Sequence, residues 1–517
     1  MPTDTPALIT ALRSAARYPH PAEPVVLMET HGAWVLLAGE HAYKIKKPVR
    51  LPFMDFGTLA LRRAACEAEI RVNRRFEPTD PAARLYLEAL PITGTPEAPV
   101  WRGDPAAAIE WAVHMRRFPE DQRLDHLAER GALTPALLQQ LARHLAAFQA
   151  SAAVAPADSV WGEPAGVRQW AEDNLSTLRE TTGLNADDRA TVAALATWTA
   201  ERFAAIEPRL AERRQAGCVR EGHGDLHLAN LVRIGDAVMP FDAIEFNDAL
   251  RWIDTAADLA FTAMDLQRIG QPGLAHVLIS EWLDASGDVC APAVLPFFAV
   301  YRALVRAKVA AIRLAQTGAA SPAHGAALAE SRAYLALARQ LADTPAPQLV
   351  ITHGLSGSGK TWASTRWLAG QRTPRALRLR SDVERKRLHG LAPLQASGAG
   401  IHQGLYAPQA HADTYASLLA RSRALLAEGW SVVVDAAFLR QHERAAFATL
   451  AAETGCGFGI LACEAPVATL RARITARQAQ GQDASEATLA VLERQQGWLE
   501  PLTAAERGQV VGPVLQP

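Results

Sequence analysis

Near the N-terminus, apolar and polar positions alternate in short runs. Residues 6–17 have the spacing of a short amphipathic helix, and Val25–Met28 and Ala33–Ala38 are apolar strand candidates. His41–Lys47 alternates residue by residue, so Lys44 and Lys46 fall on one face and Tyr43 and Ile45 on the other. Helical spacing follows over residues 59–76, and Ala107–Phe118 has a strand pattern through Val113 and Met115. From Leu124 to about Ala216 the apolar positions recur at helical spacing, with breaks around Pro156 and Pro164 and at Thr181–Asn185. Residues 255–340 are helical again. Beyond a Pro-containing linker, residues 343–347, the pattern changes. Short apolar runs at Gln348–Thr352, Ala376–Leu379, Ser431–Val434 and Phe458–Cys463 alternate with helical stretches at His411–Glu428, Leu470–Gln480 and Asp483–Trp498. Strands alternating with helices predict a parallel α/β sheet.

Composition narrows the class of protein. The chain has 517 residues, 49% hydrophobic and 21% charged, as in ordinary globular proteins of several domains. Lys and Arg number 53 against 54 Asp and Glu, so no global basic field marks a dedicated nucleic-acid binder. Five scattered cysteines without a CxxC pair suit reduced thiols and a cytoplasmic location. No apolar run reaches the length of a membrane span, and the N-terminus lacks the pattern of a signal peptide. Nothing in the sequence specifies an oligomeric state.

Two stretches carry chemistry. The first is HGDLHLANLVRIGDAVMPFD, residues 223–242. Asp225 precedes Asn230 by five residues, and Asp242 follows the apolar run Ala237–Phe241. Kinase-type phosphoryl transfer uses such groups in this order. One carboxylate orients the attacking hydroxyl, and an amide and a second carboxylate hold Mg²⁺ against ATP phosphates. A strand lysine facing the phosphates, Lys44, and a helical acid to pair with it would complete the set. Glu67 and Glu69 lie two apart on the predicted helix, so only one can turn inward; the register of Ile70, Asn73 and Phe76 favours Glu69. The strand through Met115 would cover an adenine ring. His223 and His227 flank Asp225 without further ligands, as loop-orienting residues would. Asp254 and Asp258 stand four apart at a helix start, where Asp254 fits a cap.

The second stretch is Gly354, Leu355, Ser356, Gly357, Ser358, Gly359, Lys360 and Thr361. A strand runs into it and a helix leaves it, which is the setting of a P-loop. The glycines let backbone N–H groups approach phosphate oxygens; Lys360 supplies charge, and Thr361 a hydroxyl for Mg²⁺. Asp435, behind a β-branched strand, is the second candidate Mg²⁺ ligand. Asp382 ends the second strand of this part, where open α/β sheets present ligand loops, and is placed to take a proton from a substrate hydroxyl. Arg473 and Arg477 share a helix face and are placed to close over ATP.

These residues carry family resemblances. With HGDLHLANL, FDAIEF and DTAADLAF, residues from about 25 to 335 resemble the aminoglycoside phosphotransferase family, also called choline/aminoglycoside kinase-like. The resemblance implies a two-lobed protein-kinase-like α+β fold with a largely helical second lobe. It also implies Asp225 as catalytic base, Asn230 and Asp242 as Mg²⁺ ligands, and a Lys44–Glu69 pair at the ATP phosphates. The chain departs from the protein-kinase pattern in having no GxGxxG before Lys44 and no Phe-Gly after Asp242. With GLSGSGKT, RSDVERKRL, SVVVDAAF and RARITAR, residues from about 348 to 510 resemble P-loop kinases of the zeta-toxin, polynucleotide-kinase and gluconate-kinase type. That resemblance implies Asp382 as the base, Arg380 and Arg385 near the acceptor, and Arg473 and Arg477 in a lid. The expectation is therefore a kinase-like domain over 1–342, a linker at 343–347 and a P-loop kinase domain over 348–517. Together they would transfer the γ-phosphate of ATP to small-molecule hydroxyls at two sites. Two rivals stand beside it. One is a nucleotide-dependent switch with a sensing kinase-like domain. The other is a nucleic-acid end kinase with a basic groove built from Arg372, Arg375, Arg378, Arg380, Arg385, Lys386 and Arg387.

Overall fold

The computed structural model describes residues 6–511, apart from 31, 52–53, 319–320, 394, 396–406 and 481–482. The chain packs as two compact units: residues 1–133, 151–166 and 213–258 in one, and 134–150, 167–212 and 259–517 in the other.

The first unit is built on a six-stranded antiparallel sheet in the order β1-β2-β3-β8-β6-β7. Its strands are β1 (Val25–Glu29), β2 (Ala33–Ala38), β3 (His41–Lys46), β6 (Tyr86–Thr95), β7 (Ala98–Trp101) and β8 (Glu110–Arg116). Alternation along β3 sends Tyr43 and Ile45 into a core with Ile9, Leu12, Leu36 and Ala112. Lys44 and Lys46 therefore take the other face. There α2 (Leu59–Arg74) starts at Thr58, whose hydroxyl accepts the Leu61 N–H. A short β4–β5 ladder (Arg50–Leu51 and Met54–Asp55) precedes it.

The expected helix over 6–17 is shorter: α1 spans Ala7–Leu12, and extended Ser14 breaks it before a 3₁₀ turn at Ala15–Arg17. The strand expected from Ala107 begins at Glu110, because Asp104 caps a 3₁₀ turn over Pro105–Ala107. The β6–β7 hairpin has no counterpart among the predicted strands. Later in this unit come α3 (Leu124–Glu129), the pair β9 (Val219–Glu221) and β12 (Trp252–Asp254), the hairpin β10 (Leu231–Ile234) and β11 (Ala237–Pro240), and α7 (Asp248–Arg251).

The second unit joins helices to a parallel four-stranded sheet. The helices are α4 (Pro135–Ser151), α5 (Pro164–Glu180), α6 (Ala186–Gln215), α8 (Thr255–Arg268), α9 (Pro272–Ser286), α10 (Ala291–Gln316) and α11 (Pro322–Ala342). The ends of α4, α5, α6 and α8 cross the boundary between the units. The breaks expected near Pro156–Pro164 and at 181–185 fall between these helices.

The sheet order is β14-β15-β13-β16, with β13 (Gln348–His353), β14 (Ala376–Arg380), β15 (Ser431–Asp435) and β16 (Gly457–Ala462). Its helices are α12 (Lys360–Gly370), α13 (Ser381–Leu388), α14 (Pro408–Ala427), α15 (Gln441–Thr454), α16 (Val467–Gln480), α17 (Leu489–Trp498) and α18 (Ala504–Arg507). The last long helix expected, over 483–498, starts at Leu489 behind the Thr488 cap. Residues before it are held instead by Asp483, which pairs with Arg380 and accepts the Ser485 N–H. Both parts thus have the expected fold class: an antiparallel sheet with a helical region, then an α/β P-loop fold with a parallel sheet.

Candidate active sites

In the first unit, helix α2 turns Glu69 inward and leaves Glu67 outside, paired with Arg63 at 2.8 Å. Glu69 is fully buried, with Oε1 2.9 Å from Lys44 Nζ. Its other oxygen takes Lys46, which also pairs with Glu245. Lys44 reaches Asp242 Oδ1 at 2.5 Å as well. Burial alone would lower the Lys44 pKa; the carboxylates of Asp242 and Glu69 outweigh it and hold the ammonium well above its usual range. Burial likewise pushes Asp242 up, but Lys44 prevails and keeps it ionised below the ordinary carboxylate range. The Asp242 side chain remains 43% exposed, so it stays open to a ligand.

Asp242 has φ +61°, left-handed for a residue with a Cβ. Two bonds impose it. The Asp242 N–H donates to Tyr86 Oη at 2.9 Å, and the next N–H, Ala243, donates to Asn73 Oδ1 at 2.9 Å. Asn73 in turn donates to the Glu69 carbonyl at 2.9 Å. The helix that carries the lysine's partner thereby also sets the acid's backbone.

The HGD loop is held from behind. Asp258 accepts the N–H groups of His223 at 2.6 Å and Gly224 at 2.9 Å. Buried His223 donates from Nε2 to the Phe241 carbonyl at 2.9 Å and accepts the Asp225 N–H at Nδ1, 3.3 Å. Those roles demand the neutral ring, and burial lowers its pKa accordingly. Asn230 Nδ2 donates to the Asp225 carbonyl at 3.0 Å and to Oδ2 at 3.3 Å. Its Oδ1 is the acceptor end of the same amide. His227 Nε2 lies 3.4 Å from Asp225 Oδ2. Asp254 accepts the Ala256 N–H at 2.8 Å in the first turn of α8 and pairs with buried Arg213. Met115 is buried in an apolar cluster with Ala42, Val113 and Met239.

The structure thus gathers Lys44, Glu69 and Asp242 and ties Asp225 to Asn230. Sequence reasoning missed Glu245, Tyr86, Asn73 and the role of Asp258. Asn73 left a trace in the register of the predicted helix, Glu245 in the FDAIEF stretch, and Asp258 as the second acid of a pair at a helix start; Tyr86 left none.

In the second unit, β13 ends in the P-loop. Gly354, at φ +153°, passes so close to Cys463 that a Cβ would lie 2.3 Å from its carbonyl oxygen. Gly357, at φ +82°, would meet the Leu470 carbonyl at 2.9 Å. Only glycine fits both places. Lys360 Nζ donates to the Leu355 carbonyl at 2.8 Å. Burial lowers its pKa, against the pull of Asp435. Asp435 is buried at the end of β15, beside the P-loop strand, with Oδ2 3.5 Å from Ser364 Oγ. Ser358 Oγ is buried without a partner among the described residues, an uncommitted donor inside the loop.

A cavity of about 420 Å³ opens here, lined by Ser356, Gly357, Gly359, Lys360, Thr361, Arg380, Asp382, Arg385, Asp435, Arg473 and Arg477. Arg473 donates to the Gly357 carbonyl at 3.3 Å, and Arg477 to the Ala487 carbonyl at 3.3 Å. Asp382 lies in the first turn of α13, which starts at Ser381, and pairs with Arg385 at 2.8 Å. Burial would raise its pKa; Arg385 leads the groups that pull it below the usual range. Arg380 pairs with Asp483 at 2.7 Å and stands 3.9 Å from Asp435. Sequence reasoning missed Gln495, whose Oε1 accepts the Ser356 N–H at 2.8 Å.

Of the cations named for a basic groove, Arg372 is exposed and Arg380 and Arg385 line the cavity, but most are committed to internal partners. Arg375 and Arg378 are buried, Arg385 is tied to Asp382, Lys386 to Glu486 and Arg387 to Glu384. Among the described residues no three His, Cys, Asp or Glu converge as a metal cage. A cation held by one or two carboxylates together with phosphate oxygens is the way Mg²⁺ is usually bound. Asn230 with Asp242, and Thr361 with Asp435, fit that pattern. Among the described residues no helix is long and apolar enough to cross a membrane.

Residues 349–502 match a family described as AAA domain. Among solved structures, a choline/ethanolamine kinase family protein from Mesorhizobium loti is 13% identical with a TM-score of 0.39, covering 64% of this chain and 98% of its own. An aminoglycoside phosphotransferase from Alicyclobacillus acidocaldarius is 16% identical with a TM-score of 0.36, covering 64% and 96%. Likenesses this distant carry no chemistry, which rests on the side chains above. A far more extensive match is the uncharacterized protein Rv2004c of Mycobacterium tuberculosis, 30% identical over 490 residues, 93% of this chain and 92% of the relative. A Mycobacterium bovis protein, Mb2027c, matches to the same extent. The chain belongs to the family of these mycobacterial proteins.

Proposed function

We propose that the chain is an ATP- and Mg²⁺-dependent bifunctional phosphotransferase, moving γ-phosphate to hydroxyl groups of small molecules at two separate sites. The functional division runs 1–342, a linker at 343–347, and 348–517. What supports the reading is that each part contains a lysine, a candidate metal-binding acid and a second carboxylate, the groups that phosphoryl transfer uses. In the first they are Lys44, Asp242 and Asp225; in the second, Lys360, Asp435 and Asp382.

In the first site Lys44, held by Glu69, meets the phosphates, and Asp225 orients the acceptor hydroxyl. Asn230 and Asp242 would hold Mg²⁺, which neutralises phosphate charge when bound. Buried Met115 belongs to the apolar wall proposed for the adenine. In the second, the loop from Gly354 to Thr361 cradles phosphates, Arg473 and Arg477 close over them, and Asp382 with Arg380 and Arg385 faces the acceptor. A carboxylate whose pKa is held low acts on a hydroxyl mainly by orienting it, which suits a transition state with little need for a strong base. The internal commitment of the basic residues on β14 and α13 favours a small acceptor over a nucleic-acid end.

The test is transfer of label from γ-labelled ATP into a metabolite extract by the unmodified chain, Asp225→Asn and Lys360→Ala. Each variant is expected to lose a different labelled product. If no metabolite label changes in either variant while Lys360→Ala abolishes ATP hydrolysis, the two-kinase reading is wrong and a nucleotide switch replaces it.

A further inference from the structure

Besides Lys360, Arg473 and Arg477, which serve the nucleotide in the reading above, four arginines line the cavity at the P-loop. Two of them are spent inside the fold: Arg385 on Asp382 at 2.8 Å and Arg380 on Asp483 at 2.7 Å. The other two, Arg440 and Arg494, pair with no carboxylate among the described residues; their contacts are with an indole. Their guanidinium carbons lie 5.1 and 5.8 Å from the ring centre of Trp498. Both arginines are half-buried, whereas Trp498 is 38% exposed and lines the same cavity.

Two segments bring these side chains together. Arg494 and Trp498 stand four apart on α17 and so share a helical face. Gln495 on the same helix accepts the Ser356 N–H at 2.8 Å, which ties α17 to the P-loop. Arg440 stands just before α15, at the end of the loop that leaves β15. That loop is fastened to the chain beyond α17: the Glu500 N–H donates to the Leu439 carbonyl at 2.9 Å, and Glu500 Oε2 accepts the Gln441 N–H at 2.6 Å. The acid of the first turn of α15 is spent as well. Glu443 Oε1 takes His411 at 2.8 Å, and Oε2 accepts the Arg440 backbone N–H at 3.2 Å, which leaves the Arg440 guanidinium to the cavity. Two cations gathered on one ring repel each other, and partial burial without a counter-charge costs solvation. An anion placed there relieves both.

We propose that Arg440 and Arg494 bind an anionic group of the acceptor, so that the P-loop site phosphorylates a small hydroxylated acid, a carboxylate or a phosphate ester, in preference to a neutral alcohol. The proposal rests on the phosphotransferase reading of that site. In the transfer the acceptor hydroxyl oxygen bonds to the γ-phosphorus while the bond from that phosphorus to the β,γ-bridging oxygen breaks. ADP leaves, and the hydroxyl proton passes to water. The anionic group takes no part in those bonds; it fixes the acceptor in place. Guanidinium forks match the oxygens of carboxylate and phosphate alike, and the Trp498 ring gives the acceptor a flat wall.

The experiment splits a metabolite extract on an anion-exchange resin and gives each fraction to the full chain with γ-labelled Mg-ATP, counting only label that Lys360→Ala fails to transfer. That label is expected in products of the retained fraction. Arg440→Gln and Arg494→Gln are each expected to raise the amount of that fraction needed for half-maximal transfer by about tenfold, with KM for ATP changed less than about threefold. Arg440→Lys should recover part of the loss. Arg423→Gln removes one positive charge from an exposed pair with Glu453 and should change neither quantity. Treating the retained fraction with phosphatase, removed before ATP is added, separates the two sources. Loss of the label assigns a phosphate ester and survival a carboxylate, and each supports the proposal. Label arising from the unretained fraction overturns it. So does a rise in KM for ATP in both glutamine variants with acceptor dependence unchanged, which would give the two arginines to the nucleotide. If neither fraction yields Lys360-dependent label, the reading of the site itself falls, and this proposal with it.

Discussion

At Asp242 the left-handed backbone and the charge can be separated. Asparagine tolerates positive φ nearly as well as aspartate, whereas a β-branched side chain does not. Asp242→Asn is expected to lose label transfer at the first site, with a loss of stability limited to that of its ion pair with Lys44. Asp242→Val should lose the same activity and about 1–3 kcal/mol more of stability. Equal urea midpoints for the two variants would show that the +61° angle stores no strain. The residue types of this site were readable: an acid, an amide and a second acid at set spacing, and a strand lysine. The pairing of Lys46 with Glu69 and Glu245 was not, because spacing along one strand says nothing of which acid another segment brings to it.

For the elements, Gly273 sets two effects against each other. In the first turn of α9 it costs at most about 1 kcal/mol relative to alanine, the value for a helix interior. An alanine there would meet the Ala369 carbonyl at 2.0 Å, backbone that cannot swing aside. The clash should win: Gly273→Ala is expected to lower the melting temperature of the full chain despite the better helix former. A rise would mean that α9 and α12 separate easily. Helices with clear apolar periodicity, such as α2 and α14, were legible within a few residues. The β6–β7 hairpin was not, since its strands mix Pro, Gly and Glu with apolar positions, and its place is set by the pairing of β6 with β8. The region before α17 failed for a related reason: Asp483 is drawn to Arg380, and that long-range bond competes with the helical turn.

Across the whole molecule, motif order and packing partition the chain differently. The motifs divide it at 343–347, whereas the helices over 259–342 pack in one unit with the P-loop sheet. Cutting at the linker would strip α9 from β14, leaving the Arg378 guanidinium without Glu281 and Asp284 and its N–H without Ser280. Residues 348–517 made alone are thus expected to melt lower and to be cut faster by protease than residues 259–517. Equal protection of the two pieces would show that the P-loop part needs no cover. The sequence by itself determined what is local: glycines where the P-loop backbone must turn, lysines and acids at set spacing, and the switch from helical runs to strand–helix alternation. Tertiary structure alone decided which distant charges meet. That Asp258 holds the HGD loop, that Glu69 serves two lysines and that α9 closes the edge of β14 all depend on segments far apart in the chain. Burial makes each of those charges costly to leave unpaired, and only the folded chain can supply the partner.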